Sequence, residues 1–154
     1  MELTHASLFT GIGGFDLAAE WAGFKNILQV ENNEFCLQVL NKNFPGVKKI
    51  NDIRNIGKED IPAGITVLSG GFPCQPFSIT GKRRGSTDDR YLWPEMFRII
   101  KIGRFTWVVI ENVTGITSLG IEEVLADLES EGYQIPEDRE GNYIIPVIPA
   151  AGSL

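Results

Sequence analysis

The stretch Gly70-Gly71-Phe72-Pro73-Cys74-Gln75-Pro76-Phe77-Ser78 carries the side chain best suited to covalent chemistry. Thiolate is a strong nucleophile, and prolines on either side of Cys74 stiffen a loop just past a β-branched run, Ile65 to Leu68. Cys36, the other cysteine, falls inside a helix-like segment and reads as a small hydrophobe. His5 is the only histidine, so no base stands near Cys74 in sequence, which argues against a cysteine protease. Glu111-Asn112 closes the strand-like run Val108-Val109-Ile110, where a carboxyl could reach a substrate held beside Cys74. Taken alone, Glu111 is better explained as an acidic cap for the segment that follows.

A second group of residues suits a nucleoside. Thr10-Gly11-Ile12-Gly13-Gly14 joins a short apolar strand to a helix, and glycines there let the backbone turn tightly and approach a ligand. A dinucleotide fingerprint needs Gly-x-Gly-x-x-Gly, but Asp16 occupies the third glycine position, which weakens the NAD reading. Glu31 ends the next strand, where a carboxylate can accept from both ribose hydroxyls, and Asp52 follows the third, within reach of an adenine amino group. A plain turn and solvated acids would explain each feature singly. Three successive strand ends bearing such residues favour a nucleoside cofactor.

The elements that must position these residues alternate between strand and helix, predicting an α/β domain with a mainly parallel sheet. Strands are expected at Ala6 to Phe9, Ile27 to Val30, Val47 to Ile50, Ile65 to Leu68 and Thr106 to Ile110. Between them the first helix draws its apolar spacing from Phe15, Leu17, Ala18, Trp21 and Ala22 and stops at Gly23. Asn33 caps a second helix to about Asn43, with Phe35, Cys36, Val39 and Leu40 turned inward. Arg90 to Ile102 reads as helix, as does the segment marked by Ile121, Val124, Leu125 and Leu128, and a hairpin is expected through Tyr143 to Val147. Phe72 to about Asp89 has loop composition. With no linker or repeat, residues 1–154 read as a single domain.

Composition narrows the function classes. No apolar run approaches a membrane span, and the N-terminus lacks a secretory layout. Two cysteines and one histidine make neither a disulfide framework nor a conventional zinc site, so no metal is expected and a reducing, cytoplasmic setting fits. A formal charge of −6 leaves most phosphate attraction to come from elsewhere, with Lys82-Arg83-Arg84 as the only three-residue basic run.

Three segments then resemble signature motifs of the DNA (cytosine-5)-methyltransferases, in the family's order: Ser7 to Phe15, Gly71 to Ser78, and Ile110 to Val113. Glu31, Asn51-Asp52-Ile53 and Asp89-Arg90-Tyr91-Leu92 match weaker intervening motifs, and Ser7 stands where many members carry aspartate. The resemblance implies a Rossmann-like S-adenosylmethionine-dependent methyltransferase fold with helices on both faces of the sheet. It implies methyl transfer to C5 of cytosine in double-stranded DNA, with Cys74 as nucleophile and Glu111 activating the ring. By the same resemblance Phe9 packs on adenine, Gly11, Gly13 and Gly14 shape the pocket wall, and Glu31 holds the ribose. Asp52 and Ile53 engage the adenine, and Leu92 lies near the cofactor. Gln75, Ser78, Lys82, Arg83 and Arg84 belong to a loop closing over DNA. Members continue into an arginine motif and a target-recognition region, and the chain stops about where the former begins. The expectation is a bacterial or phage-encoded partial catalytic domain, lacking its target-recognition region. Alone it should be weak or inactive, and it could be one half of a split enzyme with a complementing chain. The alternative is a non-catalytic cofactor-binding or interaction module.

Overall fold

A computed structural model of the chain describes residues 2–73, 91–112 and 120–140. Residues 1–112 form one compact unit and 113–154 a second. In the first, β1 (Thr4–Leu8), β2 (Lys25–Val30), β3 (Lys48–Ile50), β4 (Val67–Gly70) and β5 (Trp107–Ile110) build one sheet in the order β3-β2-β1-β4-β5. Every pairing is parallel. Helix α1 (Gly14–Trp21) links β1 to β2, α2 (Glu34–Asn43) links β2 to β3, and α3 (Trp93–Gly103) precedes β5. In the second unit α4 (Ile121–Ser130) buries Val124, Leu125 and Leu128, three of the four residues its spacing predicts, while Ile121 is half-buried. The expected hairpin at 143–147 lies outside the described residues.

The two faces of the sheet differ in chemistry. Ala6, Leu8, Leu28, Val30 and Leu68 are buried, register-matched neighbours on one face. Trp93, Met96, Ile99 and Ile100 of α3 are also buried, with the Met96 methyl against the backbone at Gly70. The other face carries His5, Ser7, Asn26, Gln29 and Ser69, all buried and all polar. A register shift between His5 and Ala6 lets β2 present both Asn26 and Gln29 to this side. Here α1 departs from expectation. Phe15, Leu17 and Trp21 are exposed, Trp21 by 79%, and the helix residue that is fully buried is Asp16. A polar sheet face demands a hydrogen-bonding partner, and that demand outweighs the apolar spacing of the helix.

Other boundaries move for local reasons. Asn33 caps α2 by accepting from the Cys36 amide, and Leu40 is buried, but Phe35 is 68% exposed while Cys36 and Val39 are half-buried. The inward face of α2 is therefore narrower than predicted. Helix α3 begins at Trp93 with Leu92 as its N-cap, because Pro94 is tolerated in a first turn, where an amide has no intrahelical acceptor. Strand β4 runs on to Gly70, two residues past the expected end, through its pairing with Leu8 and Ile110.

Candidate active site

Five parallel strands place their carboxyl ends along one rim. In sheet order the residues that follow those ends are Asn51-Asp52-Ile53, Glu31, Phe9 with the glycine turn, Gly71, and Glu111. The chain winds from β1 outward to β3, then returns to lay β4 and β5 on the opposite side of β1. The direction of winding thus reverses between β1 and β4. A crevice opens at such a reversal, outside the carboxyl ends of the strands, and it is where ligands bind in sheets of this kind.

On the β1 side the turn is built for close approach. Phe9 is half-buried and adopts φ 53°, a left-handed conformation costly for an aromatic residue. Gly13 has φ 92°, and a Cβ there would come within 2.6 Å of the Phe44 ring, so both conformation and space require glycine. Gly14 opens α1. The Gly11 amide donates to Glu31 Oε2 at 2.7 Å, while the Asn33 amide donates to Oε1 at 2.7 Å. Glu31 is thereby held by a backbone N–H on each oxygen, and each oxygen keeps a second lone pair.

Further along the rim the Glu31 amide donates to the Ile50 carbonyl at 3.1 Å, joining the ends of β2 and β3. Asp52 accepts from the Arg54 amide at 3.0 Å and caps a 3-10 turn, Ile53–Asn55, in which Ile53 is buried. Arg98 of α3 braces this turn from behind, donating to the carbonyls of Ile56 at 2.6 Å and Ile53 at 2.8 Å.

On the β4 side, the Glu111 amide donates to the Gly70 carbonyl at 3.1 Å, and Asn112 Nδ2 donates to the Phe72 carbonyl at 2.9 Å. These bonds draw Phe72 and Pro73 beside Glu111. A Cβ on Gly71 would lie 2.6 Å from Glu111 Oε2, so the bare backbone there is what leaves room for the carboxylate. The Phe72 ring meets Tyr91 edge-on at 6.2 Å and Trp93 at 5.3 Å, which brings Leu92, half-buried, to the same strand end. Cys74, Gln75, Ser78, Lys82, Arg83 and Arg84 lie outside the described residues. Among those described, no group of three or more metal-ligating side chains is assembled, and no helix is long and apolar enough to cross a membrane.

The rim thus gathers a bare backbone turn, a carboxylate anchored by two amides, half-buried Phe9 and buried Ile53. The family model for C-5 cytosine-specific DNA methylases matches residues 3–138. The chain belongs to this family. Among the family's type II methyltransferases, M.PspPI of Psychrobacter is 36% identical over 148 residues, covering 92% of this chain and 36% of its own length. M.NgoBI of Neisseria gonorrhoeae is 36% identical over 155 residues, covering 90% of this chain and 48% of its own. A prophage-encoded E. coli protein assigned as a DNA modification methyltransferase superposes with a TM-score of 0.70 at 29% identity, over 88% of this chain and 40% of that one. This C-5 methylase chain therefore spans between about a third and a half of the relatives it matches. Its Rossmann-like fold is that of the methyltransferases it superposes on.

Sequence reasoning passed over several residues that brace this rim. Asp16 entered only as a missing glycine, and Thr10 only as part of a turn. Arg98 drew no attention, and an arginine in the middle of a helix gives no local signal of what it braces.

Proposed function

We propose that this chain is the cofactor-holding and nucleophile-bearing part of a DNA (cytosine-5)-methyltransferase acting on double-stranded DNA. The supporting observation is the rim itself: Glu111 fitted against Gly71 on one side of the reversal, Glu31 bonded to Gly11 on the other. Bound S-adenosylmethionine would supply an electrophilic methyl group. Phe9 and Ile53 flank the adenine, Asp52 accepts from its amino group and Glu31 accepts from the ribose hydroxyls. Gly11, Gly13 and Gly14 form the wall, and Leu92 closes the side nearest β4. The target cytosine is flipped out of the duplex to reach the crevice. The Cys74 thiolate adds to C6, converting the C5=C6 double bond into electron density at C5. Glu111 holds N3 and the exocyclic amine while C5 takes the methyl group. Loss of the C5 proton to a base re-forms the double bond and expels the sulfur as thiolate. Gln75, Ser78, Lys82, Arg83 and Arg84 contact the DNA.

Much of the DNA grip then belongs to sequence found in the longer relatives, in keeping with a net charge of −6 here. A segment spanning about a third to a half of such relatives would by itself bind cofactor weakly and methylate slowly or not at all, and would gain activity beside the remaining portion of one. The test is a duplex containing 5-fluorocytosine, which blocks the elimination step. The chain and cofactor are incubated with it, alone and with the remaining portion of a full-length relative. A covalent adduct through Cys74 is expected, stronger in the complemented arm and absent in Cys74→Ser, which still binds cofactor. No adduct in either arm, with heat of cofactor binding retained, would reduce the chain to a cofactor-binding module.

A further inference from the structure

Asp16 is wholly buried in α1 and its carboxylate faces the polar side of the sheet. Oδ1 lies 3.1 Å from Ser7 Oγ and accepts from Gln29 Nε2 at 2.8 Å, and Oδ2 finds no donor among the described residues. Its backbone carbonyl accepts from Asn26 Nδ2 at 3.0 Å, and Asn26 Oδ1 in turn accepts from His5 Nδ1 at 2.7 Å. Burying a carboxylate beneath a short helix is costly, and one apolar residue at this helix position would avoid the cost. The hydrogen-bond directions say what the acid achieves. A carboxylate only accepts, so the Ser7 proton is committed to Asp16. Ser7 Oγ is left as an acceptor 2.9 Å from Thr10 Oγ1, whose single proton also has the carbonyls of Ser7 at 3.2 Å and Val30 at 3.1 Å in reach, while the Val30 amide donates to Thr10 Oγ1 at 3.1 Å. The relay runs from β2 through the glycine turn and β1 into α1. The Thr10 amide closes it by donating to the Val30 carbonyl at 3.0 Å. Residues 10 and 30 are the immediate neighbours of Gly11 and Glu31, the pair that faces the proposed cofactor.

We propose that Asp16 is a positioning residue for cofactor binding: its buried carboxylate fixes the Ser7 hydroxyl beside Thr10 and so holds the Phe9–Gly14 turn against Glu31. The proposal deepens the cofactor reading of this rim and rests on it. It is a role at a distance, since Asp16 works through Ser7 and Thr10.

Two measurements on the full chain test it. Hydrogen–deuterium exchange of the peptide spanning Phe9 to Gly14 is read in the absence of cofactor, against the Val67–Gly70 strand as an internal control. Titration with S-adenosylmethionine is read by calorimetry. Asp16→Leu removes the acceptor while keeping the volume, and should raise exchange in the turn and weaken cofactor binding, each roughly tenfold, with the control strand unchanged. Asp16→Asn keeps an acceptor oxygen for Ser7 and should restore both to within roughly threefold of the parent. If Asp16→Leu does not fold, Ser7→Ala cuts the same relay without placing an apolar group in a polar hole, and should produce the same pattern. A folded Asp16→Leu or Ser7→Ala whose turn exchanges as slowly as the parent's overturns the proposal, whatever its melting temperature. A parent chain that gives no heat with S-adenosylmethionine, while its turn still loosens in Asp16→Leu, would instead count against the cofactor reading and leave the relay standing.

Discussion

The Gly11 amide and the Glu31 carboxylate meet at 2.7 Å across the ends of two neighbouring strands. Neither residue could find the other without the parallel pairing of β1 with β2, which matches Leu8 to Val30 and thereby aligns the turn with the acid. The bond orients an acceptor for a ligand before any ligand arrives, which lowers the ordering cost at binding.

Glu31→Ala should therefore weaken S-adenosylmethionine binding roughly tenfold or more, since it removes the proposed ribose acceptor and leaves two backbone amides unanswered. Glu31→Gln restores acceptor capacity on one oxygen only and should fall between parent and alanine. Calorimetric titration of the three proteins checks the order, and equal affinities would remove Glu31 from the pocket.

Gly71→Ala tests the other side of the rim. The new methyl would sit 2.6 Å from Glu111 Oε2, and the carboxylate must move. If Glu111 holds the target base as proposed, adduct formation on 5-fluorocytosine DNA should drop by roughly tenfold or more, the cost of displacing such a group by about an ångström. Cofactor affinity should stay near the parent value, because the change lies beyond the Glu31 half of the rim. A trapping time course beside a cofactor titration separates the two effects.

Arg98→Ala should loosen the Ile53–Asn55 turn. Two carbonyls lose a charged donor, at a cost of about 1–3 kcal/mol to stability. Chemical denaturation measures that loss, and cofactor affinity should fall with it because Asp52 and Ile53 lose their support. Arg98→Lys cannot span both carbonyls and should recover only part.

The pH dependence of stability should carry a signature of Asp60. The Gly57 amide, with Lys48 beside it, holds this carboxyl below the usual aspartate range. A depressed acid stabilises the fold above its ordinary pKa, and that contribution disappears as the pH falls through its lowered folded value. Asp60→Asn should leave melting behaviour at low pH almost unchanged, where the parent acid is already protonated, and lower it slightly at neutral pH. Melting curves across that range check the sign.

Apart from α1 and part of α2, the fold was legible in the chain. Period and composition located all five strands and all four α-helices of the described residues, though not the 3-10 turns, since alternation of β-branched runs with capped helices is a local property. Gly11, Gly13, Glu31, Asp52 and Glu111 were legible as site candidates because each stands at a strand end, a position visible along the sequence. The same reasoning misjudged α1. Apolar spacing says where hydrophobic residues fall on a helix, and says nothing about the surface that the helix will meet.

That surface is decided by β1, β2 and β4 together. His5, Ser7, Asn26, Gln29 and Ser69 are scattered over 65 positions and become one buried polar face only when the strands pair. Local chemistry determined that the chain would turn on glycine, cap with Asn33 and end its strands in acids. Only the folded sheet decided which acid would be buried, which would face the crevice, and that Arg98 would brace a turn more than forty residues before it in sequence. Hydrogen-bond acceptors inside a protein choose among donors brought close by topology, and topology is not a property of any single segment.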